Sequence, residues 1–144
     1  MLPFFLFMTE ELIDYFGNFI TESRKKAFDK VISLRTRYIT VVLEDIFQTH
    51  NASAVIRTCD CFGIQDVHMI ENRNRFTVNA EIALGAEKWL TLKTYRAQSH
   101  NTLSVIQSLK KEGYRIIATT PHKKSITLND VDLNAGKIAL LFGT

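Results

Sequence analysis

A chain of 144 residues is long enough for one domain with a real core, since a globule of this size buries roughly 70% of the surface that its unfolded chain exposes. The hydrophobic fraction of 46% and the charged fraction of 23% exclude the disordered and collagen-like classes. The formal net charge of +3 does not identify a polyanionic partner, and the two cysteines, Cys59 and Cys61, exclude a disulfide framework and favour a reducing cytoplasm.

The first segment, MLPFFLF, is apolar but lacks a basic leader. It runs directly into the acidic TEELID, so it is a poor match to a signal peptide, and Met8 is an alternative start. No apolar run in the sequence approaches the roughly 20 residues that a membrane-spanning helix needs, so no membrane partner is expected.

Residues 9–34 are predicted to be helical, because apolar side chains recur there at three- and four-residue spacing, with a break near Gly17. We therefore predict an N-terminal helical arm over residues 1–37. Within this arm, residues 24–37 carry six basic residues and one acidic residue, Asp29, which gives that stretch a charge of +5. The basic residues are Arg24, Lys25, Lys26, Lys30, Arg35 and Arg37. Such a basic stripe can contact phosphates, but a solvated helix face explains it as well, and both interpretations stay open.

From Tyr38 onward, short apolar runs alternate with helical patterns. The strand candidates are YITVVLE, DVHMIE, WLTLKTY, YRIIATT and KIALLFG. Residues 52–62 are predicted to form a helix closed by Gly63, and NTLSVIQSLKKEG forms a second helix that stops at Gly113. The alternation predicts an α/β fold over residues 38–144, with a mostly parallel sheet covered by helices on both faces. Ligands of such sheets bind beyond the carboxyl ends of the strands.

The helix over residues 52–62 carries the candidate chemistry. Asn51 stands where an N-cap belongs. One face, which we expect to pack on the sheet, consists of Ala52, Val55, Cys59 and Phe62. Arg57 points away from this face, and its neighbours one turn away are Ser53, Ala54, Asp60 and Cys61. These mostly small residues let a ligand or another backbone approach the guanidinium, although an arginine paired to Asp60 on a solvent face is the alternative.

Other interpretations of the same stretch fail on geometry. Cys59 and Cys61 are two residues apart on a helix, so their thiols diverge and do not easily grip one metal. His50 with Ser53 lacks the third group of a nucleophilic triad, and His68 in an apolar strand is better explained as a core or interface residue. A glycine-rich dinucleotide loop and a phosphate-binding P-loop are both missing, which weakens a nicotinamide dehydrogenase as an alternative. No metal site is expected.

The segment VVLEDIFQTHNASAVIRTCDCFGIQDVHMIE resembles the first motif of the SpoU class of SPOUT RNA methyltransferases, in which a strand, Asn-x-x-x-x-x-Arg on a helix, Gly and another strand follow one another. HNASAVIRTCDCFG is most similar to the TrmH branch, whose members methylate the ribose 2′-hydroxyl of a guanosine in the tRNA D-loop. ALGAEKWLTL and GYRIIATTPH also resemble family segments, and IALLFGT is similar to the start of the second motif.

The resemblance implies a SPOUT-like Rossmannoid sheet and S-adenosylmethionine as the methyl donor. In this family the donor pocket is a trefoil knot built from the second and third motifs. The knot, the Glu that normally follows Phe-Gly-x and a later Ser-Leu-Asn segment would lie beyond residue 144, so we expect a longer protein or one whose remaining part is unseen.

The resemblance also implies roles for single residues. Arg57 would be the catalytic arginine and Asn51 its partner, offered across a homodimer interface to the pocket of the other subunit. Thr119 and Gly143 would border the cofactor, and the basic residues of the arm would contact tRNA. The expected function is methylation of a guanosine ribose in the tRNA D-loop. A ribosomal RNA substrate and a catalytically silent RNA-binding or dimerisation module remain alternatives.

Overall fold

The structure of the protein is a computed structural model that describes residues 3–121 and 126–143, with side chains from Thr9 onward. It contains two compact units, residues 1–35 and residues 36–144. The second unit starts two residues before the strand region predicted from residue 38. The reason is that Thr36 already belongs to it, donating its backbone N–H to the Gly63 carbonyl at 2.8 Å and bridging Ile64.

The first unit is a pair of helices, α1 (Pro3–Gly17) and α2 (Glu22–Ser33). The predicted break near Gly17 is confirmed, but α1 begins earlier than residue 9, because the apolar opening segment continues the helix. Thr21 caps α2, its hydroxyl accepting from the backbone N–H of Arg24 at 3.3 Å. No described residue of α2 is buried, so the apolar faces of this unit line an open cleft that includes Leu12, Phe16, Phe28 and Ile32.

The second unit is built on a five-stranded sheet. Its strands are β1 (Ile39–Glu44), β2 (Asp66–Ile70), β3 (Thr91–Tyr95), β4 (Arg115–Ala118) and β5 (Ile138–Gly143). They pair in the order β3-β2-β1-β5-β4, and every pair is parallel. The α/β fold with a parallel sheet is therefore confirmed. All five carboxyl ends lie at one edge of the sheet, which we call the carboxyl edge.

Helices cover both faces of this sheet, as the alternation predicts. On one face, α3 (Thr49–Cys61) buries Ala52, Ile56 and Cys59 against side chains of β1 and β2. On the other face, α5 (Thr102–Lys111) buries Val105 and Leu109. The central strands are apolar on both faces because neither face meets water.

One short helix was not predicted from the sequence. This helix, α4 (Ala80–Ala83), begins after Asn79, whose side chain accepts from the Glu81 backbone N–H at 3.0 Å. It is followed by a 3₁₀ turn over Ala86–Lys88, and both segments lie beside α3. Four residues are too few to show helical periodicity, so the pattern gave no signal. Among the described residues, no helix has the length and apolar character needed to span a membrane.

Candidate active site

The start of α3 differs from the prediction. Asn51 is not the N-cap, because the helix begins two residues earlier and its N-cap is Gln48, which makes no capping bond with its side chain. Asn51 is the third helical residue and is exposed. Its Nδ2 donates to Oε1 of Gln48 at 3.1 Å. The Asn51 amide therefore bonds to the side chain of the N-cap residue and does not itself cap the helix.

The end of α3 confirms Gly63 as its stop. Gly63 has φ of 71°, a left-handed conformation that glycine adopts at low cost. The Gly63 N–H donates to the Asp60 carbonyl at 3.1 Å and the Ile64 N–H to the Cys59 carbonyl at 2.9 Å, which is the Schellman pattern. This turn reverses the chain into β2.

The buried face of α3 is shifted from the predicted one. Ala52 and Cys59 are buried as predicted, but Ile56 at 0% exposure is the centre of the contact, and Val55 is only partly buried. Phe62 was predicted to face the sheet, and this is wrong because its side chain is 77% exposed. Phe62 lies six positions after Ile56, so it points about 120° away from the centre of the buried face, and the shift of that face leaves its ring exposed.

Arg57 is exposed and lies outside the buried face of α3, as predicted. It lines an open depression of about 370 Å³. The other lining residues are Ala54, Thr58, Cys61, Phe62 and Ile82. Ala54 and Thr58 are short, so the guanidinium is open to a ligand or to another chain, and the exposed ring of Phe62 makes one wall apolar.

Arg57 and Asn51 do not form a pair on one side of the helix. They are six positions apart, which corresponds to about 9 Å along the axis and to directions about 120° apart. Asn51 lies in the turn nearest the carboxyl edge, whereas Arg57 lies about 12 Å from the first residue of the helix. The two side chains therefore serve one reaction centre only if the substrate spans them.

Thr119 and Gly143 do meet at the carboxyl edge. Thr119 follows β4, and its backbone N–H donates to the Leu141 carbonyl of β5 at 3.0 Å. Gly143 ends β5 beside Glu44, and a Cβ at this glycine would lie 3.3 Å from the Glu44 Oε2 atom. Within one chain, the direction of α3 carries Arg57 away from this edge, so the structure does not bring Arg57 to Thr119 and Gly143. Residue 144 and His122, both in segments that resemble the family, lie outside the described residues.

A polar network at the carboxyl edge was missed by the sequence analysis. The Thr102 hydroxyl donates to Oε1 of Glu44, and the Asn72 side chain donates to Thr102 at 2.9 Å. The Asn101 backbone N–H donates to Asn72 Oδ1 at 2.7 Å. The signal was present in the sequence, because a polar residue, Glu44, ends β1 and two polar residues, Glu71 and Asn72, follow β2. The network ties the ends of β1 and β2 to the start of α5.

Asp45 fixes the loop after β2 to the end of β1. Its backbone has φ of 49°, and its Oδ1 accepts from the backbone N–H groups of Asn72, Arg73 and Asn74 at 2.8, 2.8 and 3.3 Å. Burial alone raises the pKa of this carboxyl, but the hydrogen bonds from Arg73, Asn74 and Asn72 together outweigh burial and lower the pKa below 3.8. Asp45 is therefore a structural anion.

The basic residues of the predicted stripe have separate surroundings. Lys25 pairs with Glu22 at 2.8 Å, and the Arg24 guanidinium lies 5.8 Å from the centre of the Phe28 ring. Lys26 and Lys30 are exposed and share one face of α2, being four residues apart. Arg35 ends the first unit and is partly buried.

Arg37 lies in the second unit, not in the predicted arm. Its Nη1 donates to both carboxylate oxygens of Asp66 at 2.8 and 2.6 Å, and the Asp66 side chain is 5% exposed. This ion pair anchors the amino end of β2, because removing Arg37 would leave a buried carboxylate without its cation.

The residues of the rejected interpretations lie apart. Cys59 is buried and Cys61 is exposed, and burial raises the pKa of the Cys59 thiol to about 11. His68 is buried in β2, with Nδ1 at 2.8 Å from the Tyr95 hydroxyl, so it is a core residue. In the described part of the chain, no three His, Cys, Asp or Glu residues converge as metal ligands do.

Comparison with known proteins identifies relatives of this chain. A tRNA (guanosine(18)-2′-O)-methyltransferase of Borreliella burgdorferi is 45% identical over 132 residues, covering 92% of this chain and 58% of the relative. An enzyme of the same name from Thermus thermophilus is 28% identical over 123 residues, covering 85% of this chain and 61% of the relative. The chain thus spans about three fifths of the length of these curated relatives.

Solved structures support the same assignment. The A. aeolicus TrmH/SpoU tRNA modifying enzyme superposes with a TM-score of 0.73 at 26% identity, over 85% of this chain and 60% of that one. The SpoU methyltransferase AviRb from Streptomyces viridochromogenes, solved with AdoMet, has a TM-score of 0.57 at 14% identity and shows the shared fold only. It covers 80% of this chain and 44% of that one.

The family itself is matched over most of the chain. The SpoU rRNA Methylase family matches residues 38–144, the region that holds the sheet, α3 and the carboxyl edge. The resemblance seen in the sequence is thereby confirmed. With this match and a relative that is 45% identical, the chain belongs to the SpoU rRNA Methylase family.

Proposed function

We propose that this chain takes part in S-adenosylmethionine-dependent methylation of a ribose 2′-hydroxyl in tRNA, with a guanosine as the target. The tRNA assignment is supported by the names of the relatives, which include the protein that is 45% identical. The observation that carries the proposal is Arg57, an exposed guanidinium outside the buried face of α3, in an open depression that is lined in part by the short side chains of Ala54 and Thr58.

The proposed active form is a homodimer. Arg57 cannot reach the carboxyl edge of its own chain, because α3 runs from that edge toward the opposite one. A second copy that covers the depression around Arg57 would bring its own carboxyl edge to the guanidinium. The exposed aromatic ring of Phe62 supports such a contact, since it offers apolar surface next to Arg57.

The cofactor edge would be formed by Thr119 and Gly143. Both residues are exposed at the ends of adjacent strands, and a side chain at position 143 would press on Glu44, so the backbone remains accessible there. Backbone groups and one hydroxyl suit the neutral adenosine part of the cofactor. S-adenosylmethionine, when bound, supplies a methyl group made electrophilic by the adjacent sulfonium. No metal is part of the proposal.

Arg57 is proposed to orient the RNA and to stabilise the developing alkoxide, not to remove the proton. The guanidinium is effectively always protonated, so arginine is a poor base. It does present a planar fork that holds a phosphate by two hydrogen bonds and stabilises negative charge on a nearby oxygen. A phosphate of the RNA or a water molecule would take the proton.

The basic residues of the N-terminal helices are proposed to contribute sequence-independent contacts to the tRNA backbone. Lys26 and Lys30 are the best placed, because they are exposed and share a face. Arg37 is a weaker candidate, since its guanidinium is already bound to Asp66. The cytoplasmic location expected from the sequence stays a prediction, and it agrees with two cysteines that are free thiols.

The experiment for the function mixes the protein with radiolabelled S-adenosylmethionine and unmodified tRNA. Transfer of label to a guanosine ribose supports the proposal. Transfer to ribosomal RNA alone would favour the ribosomal substrate. Absence of both transfer and cofactor retention would favour a silent RNA-binding or dimerisation module.

The role of Arg57 predicts the result of changing it to lysine. Arg57→Lys keeps the charge but removes the planar fork, so we expect methyl transfer to fall by about 10² to 10³, the loss typical of one oxyanion donor. Thermal unfolding should not change, because the side chain is exposed. Lys111→Arg, an exposed change on α5, is the matched control. Nearly full turnover of Arg57→Lys would refute the requirement for a fork.

A further inference from the structure

Two arginines converge on one buried carboxylate at the carboxyl edge. Arg75 and Arg96 follow β2 and β3, and their Nη1 atoms lie 3.9 and 3.8 Å from the same atom, Oε2 of Glu71. The Glu71 side chain is 4% exposed, whereas those of Arg75 and Arg96 are 72% and 59% exposed. The carboxylate therefore lies beneath the two guanidinium groups, which face solvent.

The arginines remain available to a ligand. Both distances to Glu71 exceed hydrogen-bond length, so neither Nη1 donates directly, and Oε2 has no hydrogen-bond partner among the described residues. The other oxygen, Oε1, accepts from the Phe76 backbone N–H at 3.2 Å, which fixes the direction of the carboxylate. Within the described chain, no carboxylate other than Glu71 lies within 4 Å of Arg75 or Arg96.

The neighbouring acidic groups are already satisfied. Asp45 accepts from three backbone N–H groups, and Glu44 accepts from the Thr102 hydroxyl. The exposed side of the cluster thus presents two positive charges over one buried negative charge. Because both guanidinium groups surround the same oxygen atom, their separation is limited to a span that the oxygens of one phosphate can bridge.

We infer that Arg75 and Arg96 form a clamp for one phosphate of the RNA backbone, and that Glu71 is the positioning residue that holds the two forks together. This inference rests on the proposed function, since the ligand is its RNA substrate. The clamp lies at the edge where Gly143 and Thr119 end their strands. It would fix the position of the RNA strand there without reading its sequence.

The test measures tRNA binding, not methyl transfer. The double variant Arg75→Gln/Arg96→Gln is compared with Lys88→Gln/Lys111→Gln, which loses the same charge from exposed sites at the opposite edge of the sheet. We expect the clamp variant to raise the Kd for unmodified tRNA about tenfold and to reduce the slope of log K against log salt by about one. The control variant should change the Kd far less. Equal effects of the two double variants would overturn the clamp.

Glu71→Gln separates positioning from net charge. The substitution removes a negative charge, so a purely electrostatic attraction predicts tighter tRNA binding. A positioning role predicts weaker tRNA binding, because Arg75 and Arg96 lose the negative charge that holds their guanidinium groups close together. The glutamine side-chain oxygen can still accept from the Phe76 backbone N–H, so the loop itself should be retained. Tighter binding by Glu71→Gln would therefore overturn the positioning role.

The outcomes also separate the clamp from the proposed function. If the unchanged protein binds tRNA and the Arg75→Gln/Arg96→Gln variant binds it equally well, the clamp fails and the function stands. If the unchanged protein does not bind tRNA at all, the proposed function fails and the clamp fails with it.

Discussion

Arg37 and Lys26 carry the same charge in neighbouring parts of the sequence, yet their surroundings give them different roles. Lys26 is exposed on α2, where its charge is free to meet a polyanion. Arg37 donates two hydrogen bonds to a carboxylate that is 5% exposed. Leaving such a carboxylate unpaired is costly, so the fold itself requires Arg37. Charge counted along the chain does not distinguish these two cases.

His68 illustrates a buried titratable group whose effect appears in stability. Burial lowers the pKa of His68 below its usual 6.5, and the positive charge of Lys93 adds to this, while Asp66 and Glu112 oppose it. The unfolded chain therefore takes up a proton below pH 6.5 while the folded chain keeps His68 neutral. It follows that stability is highest above this pH and falls as the pH drops toward the folded pKa.

We predict that the free energy of unfolding in urea decreases between pH of about 7.5 and about 5.5, and that His68→Gln removes much of this dependence. Urea titrations at both pH values provide the measurement. His100→Gln, at an exposed position, is the control and should keep the slope of the unchanged protein. An identical slope in His68→Gln would show that other groups cause the dependence.

At the scale of elements, α3 has two faces with separate tasks. Its inner face holds the sheet through Ile56, whose side chain is fully buried. Its outer face carries Arg57 and continues into Phe62, which is exposed. Helical spacing causes this division, because Phe62 lies about 120° round the helix from Ile56.

Because Ile56 is buried and Phe62 is exposed, we predict that truncating these two side chains changes the free energy of unfolding by different amounts. Ile56→Val should lower the free energy of unfolding by about 0.5 to 1.5 kcal/mol, since it leaves a small void in a packed core. Phe62→Ala should change it by less than about 0.5 kcal/mol in the monomer, because it removes an exposed ring. Denaturant unfolding at low protein concentration measures both. A larger cost for Phe62 would mean that α3 packs with the face first predicted from its spacing.

At the scale of the whole molecule, the topology separates the two parts of the proposed site. The parallel strands gather Thr119, Gly143 and the clamp of Arg75 and Arg96 at one edge. The antiparallel return of α3 places Arg57 away from that edge. The proposed second copy would bridge this separation by covering the exposed ring of Phe62, which lines the depression around Arg57.

The proposed homodimer predicts that Phe62→Ser weakens self-association. Sedimentation velocity over a range of protein concentrations should show a dimer for the unchanged protein and a dissociation constant at least about tenfold higher for Phe62→Ser, since a central aromatic ring commonly contributes more than 1 kcal/mol to an interface. Leu103→Ser removes a comparably exposed side chain from α5, on the other face of the sheet, and should have no effect. A monomeric unchanged protein would contradict the proposal.

The sequence by itself determined the strands, the two helices that cover the sheet, the parallel α/β fold and the family, because period, chain order and motif spacing are local properties. It also determined that Arg57 faces away from the core. Only the tertiary structure decided that Asn51 lies inside the helix, that Phe62 is exposed, and that Arg37 binds Asp66 while Arg75 and Arg96 converge on Glu71. These depend on where the chain turns and on which residues, distant in sequence, meet across neighbouring strands, and no local pattern specifies either.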